Sequence, residues 1–124
     1  MAAVPSGPEL IVNIIDAGYQ YRPFLAALAS GGYVIGWQDA SGLGSPPGDI
    51  SDDVRYAVYD AFGTRISGAA DLIANTEKAG AQFEGAASGF ADGKYVMVWT
   101  DASETSPDFN NRAIRGQIFN ADGS

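Results

Sequence analysis

Short runs of apolar and aromatic residues, separated by glycine-rich turns, recur along the whole chain. The most apolar runs are Tyr33–Asp39 and Tyr95–Asp101, in which hydrophobic side chains occupy both faces instead of alternating with polar ones. Because a strand buried on both sides has this pattern, we predict that both runs are central strands of covered sheets. Glycines at Gly31, Gly32 and Gly93 supply the positive φ angles that a tight hairpin needs before each run.

Each half of the chain offers four such segments, rich in the β-branched and aromatic residues that strands prefer. The predicted strands are Glu9–Ile14, Pro23–Ala29, Tyr33–Asp39 and Val54–Asp60 in the first half, and Asp71–Asn75, Gly85–Ala91, Tyr95–Asp101 and Ala113–Asn120 in the second. The one long helical candidate, Phe24–Ala29 with its neighbours, follows a proline and is closed by two glycines. The pattern therefore predicts an all-β protein.

The two halves are copies of one another. Leu10–Ser41 aligns without a gap to Leu72–Ser103 at an offset of 62 (72 − 10), and 14 of the 32 aligned positions are identical. Further on the offset becomes 60, so that Arg55 matches Arg115. A duplicated unit of this size is a supersecondary element that cannot bury its hydrophobic face alone. We predict a flexible leader over residues 1–8 and a single all-β domain over residues 9–124, made of repeats 9–70 and 71–124.

Four antiparallel strands per repeat, covered on both faces, are typical of a β-propeller blade. If Pro23–Ala29 is the innermost strand of its blade, the outermost strand of that blade lies in the next repeat. Glu9–Ile14 is then an outer strand without a blade, and the blade that ends at Ala113–Asn120 lacks one. Since exposed edges are usually paired and head-to-tail contacts usually close into rings, we predict a homo-oligomer of about two to four chains. In it these two segments pair, within one chain or between chains.

An eight-stranded β-sandwich or barrel, with one sheet from each repeat, is the alternative architecture. In that arrangement the domain is self-contained, and no oligomer is needed to pair its strands.

The repeat carries a recognisable motif. In the first copy it runs Asn13…Ala17-Gly18…Gln20…Pro23…Ala26-Ala27-Leu28…Gly31-Gly32-Tyr33-Val34…Trp37, and continues as Tyr56-Ala57-Val58-Tyr59-Asp60-Ala61-Phe62-Gly63. This motif resembles tandem repeats of very large secreted bacterial proteins, the adhesin-like and RTX-type calcium-binding exoproteins. The second copy departs from it, since Gly85 replaces the proline and Gly116-Gln117 stands where the first has Tyr56-Ala57. The resemblance implies a secreted or cell-surface module that is part of a larger protein or array.

Composition and charge exclude several classes of function. With 15 acidic and 7 basic residues the net charge is −8, which disfavours nucleic acid and anionic membrane surfaces as partners. No run of about 18 apolar residues predicts insertion into a membrane. Without histidine or cysteine the chain lacks the commonest general base, thiol nucleophiles and the usual zinc ligands. A glycosidase acting through paired carboxylates remains conceivable, but the acids are scattered over turns, and we predict no enzyme.

Acidic residues gather in the loops that follow the two tryptophan strands. Calcium takes six to eight oxygen ligands, which aspartate, serine and main-chain carbonyls provide. The candidate metal ligands are Asp39, Asp49, Asp52, Asp53, Asp101 and Asp108. The alternative is that these aspartates only form turns, or that Asp39 and Asp101 pair with Arg55 and Arg115 instead.

Trp37 and Trp99 end the two apolar strands, and a tryptophan ring beside aspartate or asparagine is a common carbohydrate-binding device. Together with Arg55 and Arg115 they are the candidate ligand-binding residues. Because each ring ends the most apolar strand of its repeat, packing in a core is the alternative role. The repeated asparagines and glutamines, Asn13, Asn75, Gln20 and Gln82, are expected to satisfy backbone groups at turns.

Three functions from different classes remain. The first is a non-catalytic structural or adhesive module that assembles into a propeller-like oligomer, and this is the function we predict. The second is a lectin-like oligomer, in which weak carbohydrate sites are multiplied by valency. The third, ranked last, is the carboxylate-based glycosidase. Calcium is the one cofactor that the loops suggest, and a glycan or cell-surface ligand is the partner besides further copies of the chain.

Overall fold

The computed structural model describes residues 3–44, 47–48, 51–105 and 112–124, and all regular structure in them is β-strand. The strands are β1 (Gln20–Ala27), β2 (Tyr33–Asp39), β3 (Asp53–Tyr59), β4 (Leu72–Ile73), β5 (Gln82–Gly89), β6 (Tyr95–Asp101) and β7 (Ala113–Phe119). They form two antiparallel sheets, in the orders β1-β2-β3-β4 and β5-β6-β7. Neither sheet closes into a barrel, and the predicted all-β class is confirmed.

The strand that closes the first sheet comes from the second repeat. Arg55 and Tyr56 of β3 lie opposite Ile73 and Leu72 of β4, and the amide of Ala74 donates to the carbonyl of the β3 residue Val54 over 2.8 Å. An outer strand taken from the next repeat is therefore confirmed for this sheet. One part of the alternative is wrong, namely that each repeat forms one sheet, because β4 of the second repeat joins the first sheet. Its two-sheet arrangement is present, since the two sheets pack face to face.

The predicted strand Glu9–Ile14 is wrong, since this segment joins neither sheet. Val12 packs instead on the side of the first sheet that carries Trp37. The amides of Ile14 and Ile15 donate to Asp71 Oδ2 over 2.8 and 2.9 Å. Within one chain the segment does not pair with β7; the edge of β3 beside it is already occupied by β4.

Strands β1 and β5 begin earlier than the predicted Pro23–Ala29 and Gly85–Ala91, because each contains a β-bulge. The register of β1 shifts between Tyr21 and Phe24, and Arg22 has a φ of 51°. The bulge takes up the proline that follows, which has no amide for the ladder. An equivalent bulge in β5 gives Glu84 a φ of 58°, and the exposed Arg22 and Glu84 side chains meet over 3.2 Å.

The two sheets stack with the same orientation, so that unlike faces meet. We call the side of each sheet that carries its tryptophan the front face and the opposite side the back face. The back face of the first sheet packs on the front face of the second in one core cluster, whose larger members are Val34, Val54, Tyr56, Val58, Tyr95, Met97, Trp99 and Phe119. The front face of the first sheet carries a smaller cluster made by Trp37, Ala57 and Tyr59.

Burial on both faces is confirmed for β2, but it is wrong for β6. The front face of β6 is buried against the first sheet, whereas Val98 on its back face is 39 % exposed. Its neighbours on β7 are exposed further, Ile114 to 77 % and Ile118 to 57 %. Among the described residues no third sheet covers this back face, which is why an apolar pattern remains in contact with solvent.

Candidate functional site

Each tryptophan strand ends in an aspartate that pairs with an arginine of the following strand. Trp37 lies opposite Arg55, and Arg55 Nε donates to Asp39 Oδ2 over 2.6 Å. In the second sheet Arg115 Nε donates to Asp101 Oδ2 over 2.5 Å. Both ion pairs that the repeat predicts are confirmed.

A glutamine at the start of β1 and of β5 donates a hydrogen bond to the aspartate of each ion pair. Gln20 Nε2 donates to Asp39 Oδ1 over 3.0 Å and to a turn carbonyl over 2.7 Å. Gln82 Nε2 does the same with Asp101 Oδ1 over 2.9 Å and a turn carbonyl over 3.0 Å. The bonds to turn carbonyls are confirmed, but the bonds to the aspartates were not anticipated. The equal spacing of glutamine and aspartate in both copies, 19 residues (39 − 20 and 101 − 82), was the available signal.

An asparagine completes the set in each repeat. Asn13 Nδ2 donates to the carbonyl of Ile15 over 2.7 Å and lies 3.5 Å from Gln20 Oε1. Asn75 Nδ2 donates in the same way to a carbonyl two residues on, over 2.7 Å, and to Gln82 Oε1 over 3.1 Å. We call these linked side chains the repeated polar network, formed by Asn13, Gln20, Asp39 and Arg55 in the first repeat and by Asn75, Gln82, Asp101 and Arg115 in the second.

The second copy of the network also bonds to a strand of the first repeat. Asn75 Oδ1 accepts the buried amide of Val54 over 2.9 Å, and Asn75 Nδ2 donates to Asp53 Oδ1 over 2.6 Å. Both partners belong to β3, so this side chain fastens the second repeat to the first sheet. Among the described residues, Asn13 of the first copy makes no such bond to a strand of the other repeat.

The charges of the network are buried and matched. The Asp39 and Arg55 side chains are 1 % and 5 % exposed, whereas Arg115 is 27 % exposed. Burial raises the pKa of Asp101, but hydrogen bonds from Gln82, Ser103 and Arg115 outweigh it and hold that pKa below its ordinary value. A buried carboxylate is tolerable only when it is paired and hydrogen-bonded in this way.

The two tryptophans are covered by protein. Each ring is 4 % exposed, and neither indole N–H has an acceptor within the described part of the chain. Arg55 and Arg115 direct their guanidinium groups to Asp39 and Asp101. A tryptophan that stacks on a sugar needs an accessible ring face, so in the isolated chain Trp37 and Trp99 have the packing role. Ligand binding by the two tryptophans and the two arginines stays a prediction.

Two of the candidate calcium ligands, Asp52 and Asp53, accept hydrogen bonds from other side chains. Asp52 Oδ2 accepts from the Tyr21 hydroxyl over 2.5 Å, which raises the pKa of Tyr21, and Asp53 accepts from Asn75. Among the described residues no three acidic side chains come close enough to share a metal ion. Asp49 and Asp108 lie outside the described residues, and calcium binding stays a prediction.

A cavity of about 160 Å³ opens beside Trp37 on the front face of the first sheet. Its lining consists of Val12, Asn13, Gln20, Tyr21, Pro23, Ile35 and Trp37. The equivalent place on the second sheet lies under the first sheet, where the Phe24 ring contacts Gly85 and the amide of Val54 bonds to Asn75. Among the described residues, nothing equivalent to Phe24 and Val54 packs on the first sheet at the cavity.

Within the described residues no helix is long and apolar enough to cross a membrane. No family model, no curated protein and no solved structure matches this chain. The role of the site rests on its contacts and on the equivalence of the two repeats.

Proposed function

We propose that this chain is a non-catalytic repeat module of an extracellular bacterial protein, structural and adhesive in its role, whose copies join head to tail into a propeller-like oligomer. The observation that carries the proposal is the interface inside the chain, where the back face of the first sheet covers the front face of the second. Because the repeats are equivalent in sequence, the two outward faces of the chain are the complementary halves of a second interface of this kind.

The back face of the second sheet has the character of an unfilled interface. Val98, Ile114 and Ile118 are exposed there, and an exposed apolar patch on a soluble protein usually marks a contact surface. The equivalent positions on the first sheet are all buried under the second sheet. A stacking step of the same kind, applied once more, covers the patch.

The non-catalytic part of the proposal is supported by the repeated polar network. Its carboxylates and guanidinium groups are engaged with one another, in the same way in both repeats. A catalytic site instead requires groups that are free to meet a substrate. The bacterial, secreted or cell-surface setting rests on the resemblance of the repeat motif.

Mass measurement tests the assembly. Native mass spectrometry and light scattering at micromolar concentration are expected to give a closed homo-oligomer of about two to four chains. Ile114→Glu places a charge on the exposed back face and is expected to dissociate the oligomer while the chain stays folded by circular dichroism. Val4→Glu is the matched control, since Val4 is also exposed, to 89 %, but lies in the leader. A well-folded monomer of the unaltered chain at all concentrations would contradict the proposal.

A lectin-like function is the second candidate, and the cavity beside Trp37 favours it. The cavity is lined by Trp37 together with Asn13 and Gln20, and apolar or aromatic walls with a few polar groups are typical of small-molecule sites. A glycan array that detects binding which Gln20→Ala abolishes and Gln82→Ala retains would support it, because Gln82 lies buried in the other copy of the network. Absence of binding across the array leaves the assembly module.

A further inference from the structure

The outer edges of the two sheets differ. On the first sheet β4 pairs with β3, with Leu72 opposite Tyr56 and Ile73 opposite Arg55. On the second sheet no described strand pairs with the outer edge of β7. A row of free amides and carbonyls at an exposed edge is a template for another strand.

The segment equivalent to β4 is present in the chain but is not used as a strand. Leu10, Ile11 and Asn13 are identical to Leu72, Ile73 and Asn75 at the offset of 62 (72 − 10). The first two side chains of this segment are exposed, to 62 % and 88 %. Two adjacent apolar side chains exposed to solvent in this way are typical of a contact surface.

The segment is already positioned for that use. Val12 packs against the front cluster around Trp37, as Ala74 belongs to the core cluster that contains Trp99. Asn13 makes the same bonds to its glutamine and to the carbonyl two residues on as Asn75 does. The difference is that Leu72–Ile73 pairs with β3, whereas Leu10 and Ile11 pair with no described strand.

We propose that Leu10–Asn13 of one copy adds as the outer strand to β7 of a second copy. This rests on the head-to-tail assembly proposed above and adds the strand exchange that fastens it. The internal pairing gives the register: Leu10 opposite Gly116, Ile11 opposite Arg115 and Val12 opposite Ile114. Asn13 Oδ1 accepts the amide of Ile114, as Asn75 Oδ1 accepts that of Val54.

Side-chain sizes at the two interfaces agree with this docking. Inside the chain the Phe24 ring fills the space where a Cβ on Gly36 or Gly85 would lie, so that a larger residue at either position would require the ring to move. At the proposed interface the equivalent ring position is Ala86, and the two glycines are replaced by Val98 and Pro23. The large residue has become small and the two small residues have become larger, as complementary packing of the same space requires.

One position sets the spacing between copies. A Cβ on Gly89 would meet the carbonyl of Ala27 within the chain, and the residue equivalent to Gly89 in the first repeat is Ala27 itself. In the proposed assembly, β5 of one copy and β1 of the next therefore lie slightly further apart at this end than β1 and β5 do within one chain.

Cysteine pairing tests the strand exchange, because the chain has no cysteine of its own. A Val12→Cys chain is mixed with an Ile114→Cys chain under oxidising conditions, so that the heterodisulfide forms only between chains. Opposite residues of a strand pair lie about 5.5 Å apart at Cα, within the reach of a disulfide. A covalent two-chain product on a non-reducing gel is expected.

The matched control replaces the second chain by Ile118→Cys. Ile118 is exposed on the same strand and the same face as Ile114, but four residues along, which is about 13 Å from the proposed contact. We expect no product from this mixture, and equal product with both chains would show a non-specific collision and overturn the register.

The outcomes separate this inference from the assembly on which it rests. An oligomer that retains its mass but forms no Val12→Cys to Ile114→Cys bond overturns the strand exchange and leaves the stacked faces. A third chain carries both Val12→Cys and Ile114→Cys. If its two cysteines form a disulfide within one chain, the segment reaches its own β7, which also overturns the exchange. A chain that is monomeric throughout overturns both proposals.

Discussion

The two sheets of this protein share a sequence pattern but not an environment. Val54 and Val58 on β3 are 1 % and 0 % exposed, whereas their equivalents Ile114 and Ile118 on β7 are 77 % and 57 % exposed. The residues are equally apolar, so the difference comes from what lies next to each sheet. In a stack of repeats, burial depends on the neighbouring unit as much as on the local sequence.

Their edges teach the same lesson. β3 receives β4, and Asn75 fastens the junction through the amide of Val54. β7 carries the equivalent amide at Ile114, but no described strand pairs with its outer edge. In the proposed assembly, the second sheet gains from a second copy the strand that β4 gives the first sheet.

The largest expected effect on the stability of either sheet comes from removing its tryptophan. Trp99→Ala and Trp37→Ala are each expected to cost about 3–5 kcal/mol of unfolding free energy, because both rings are buried and their removal leaves a cavity. Urea unfolding at one fixed protein concentration measures both. Deleting residues 1–14 should reduce the cost at Trp37, which Val12 covers, and not at Trp99. Small, equal costs would mean that the rings are accessible in solution.

Removing an arginine separates the two ion pairs. Arg55→Ala leaves Asp39 buried without its cation and is expected to destabilise the fold by about 3 kcal/mol. Arg115→Ala should cost less, since the Arg115 side chain is 27 % exposed against 5 % for Arg55. Thermal unfolding of both variants gives the order. The reverse order would contradict the burial on which this prediction depends.

Calcium tests the acidic loops that follow the two tryptophan strands. If the loops hold the ion, calcium at one hundred times its dissociation constant stabilises the fold by about 2.7 kcal/mol. Melting in calcium is compared with melting in a chelator, for the unaltered chain and for Asp49→Asn and Asp108→Asn, one from each loop. The variant that abolishes the stabilisation identifies the binding loop. Identical melting temperatures in both solutions would leave the aspartates as turn and ion-pair residues.

The two asparagines test whether the fastening is internal or between chains. Asn75→Ala leaves the buried Val54 amide without its acceptor and is expected to cost about 2 kcal/mol in unfolding free energy. Asn13→Ala is expected to cost about 1 kcal/mol in the chain and to shift the oligomer toward monomers. Unfolding and native mass are measured on the same samples. Equal losses of stability with no change in mass would contradict the difference between the two copies.

Acid has the smallest expected effect. Because the pKa of Asp101 is lowered in the folded state, its contribution to stability is fully present above the ordinary aspartate value near 4 and is lost as pH falls through the lower folded value. Melting temperatures from about pH 5 to pH 2 should decline less steeply for Asp101→Asn than for the unaltered chain. Only the slopes are compared, since the substitution also weakens the contact with Arg115. Parallel slopes would assign the acid sensitivity to other carboxylates.

Much of the local structure was predictable because it depends on short-range pattern. The bounds of β2 and β6 were predicted to the residue, since hairpin glycines and the closing aspartates delimit them. The Asp39–Arg55 and Asp101–Arg115 ion pairs followed from the recurrence of both partners in each repeat. The bulges were missed: a proline inside a strand predicts a boundary, whereas a residue with positive φ at Arg22 or Glu84 lets the strand continue.

The sequence by itself determined the all-β class and the two repeats, because hydrophobic periodicity and internal identity are properties of the chain alone. It offered two ways to pair the outer strands, and the observed pairing of β3 with β4 decided between them. Only the tertiary structure decided that Glu9–Ile14 joins neither sheet, with Val12 packed on a sheet face, and that Asn75 bonds to β3. It also decided that the back face of the second sheet stays open. Identical motifs cannot distinguish these outcomes, since a strand needs a free edge and a face needs a neighbour, and both are supplied by parts of the molecule distant in sequence.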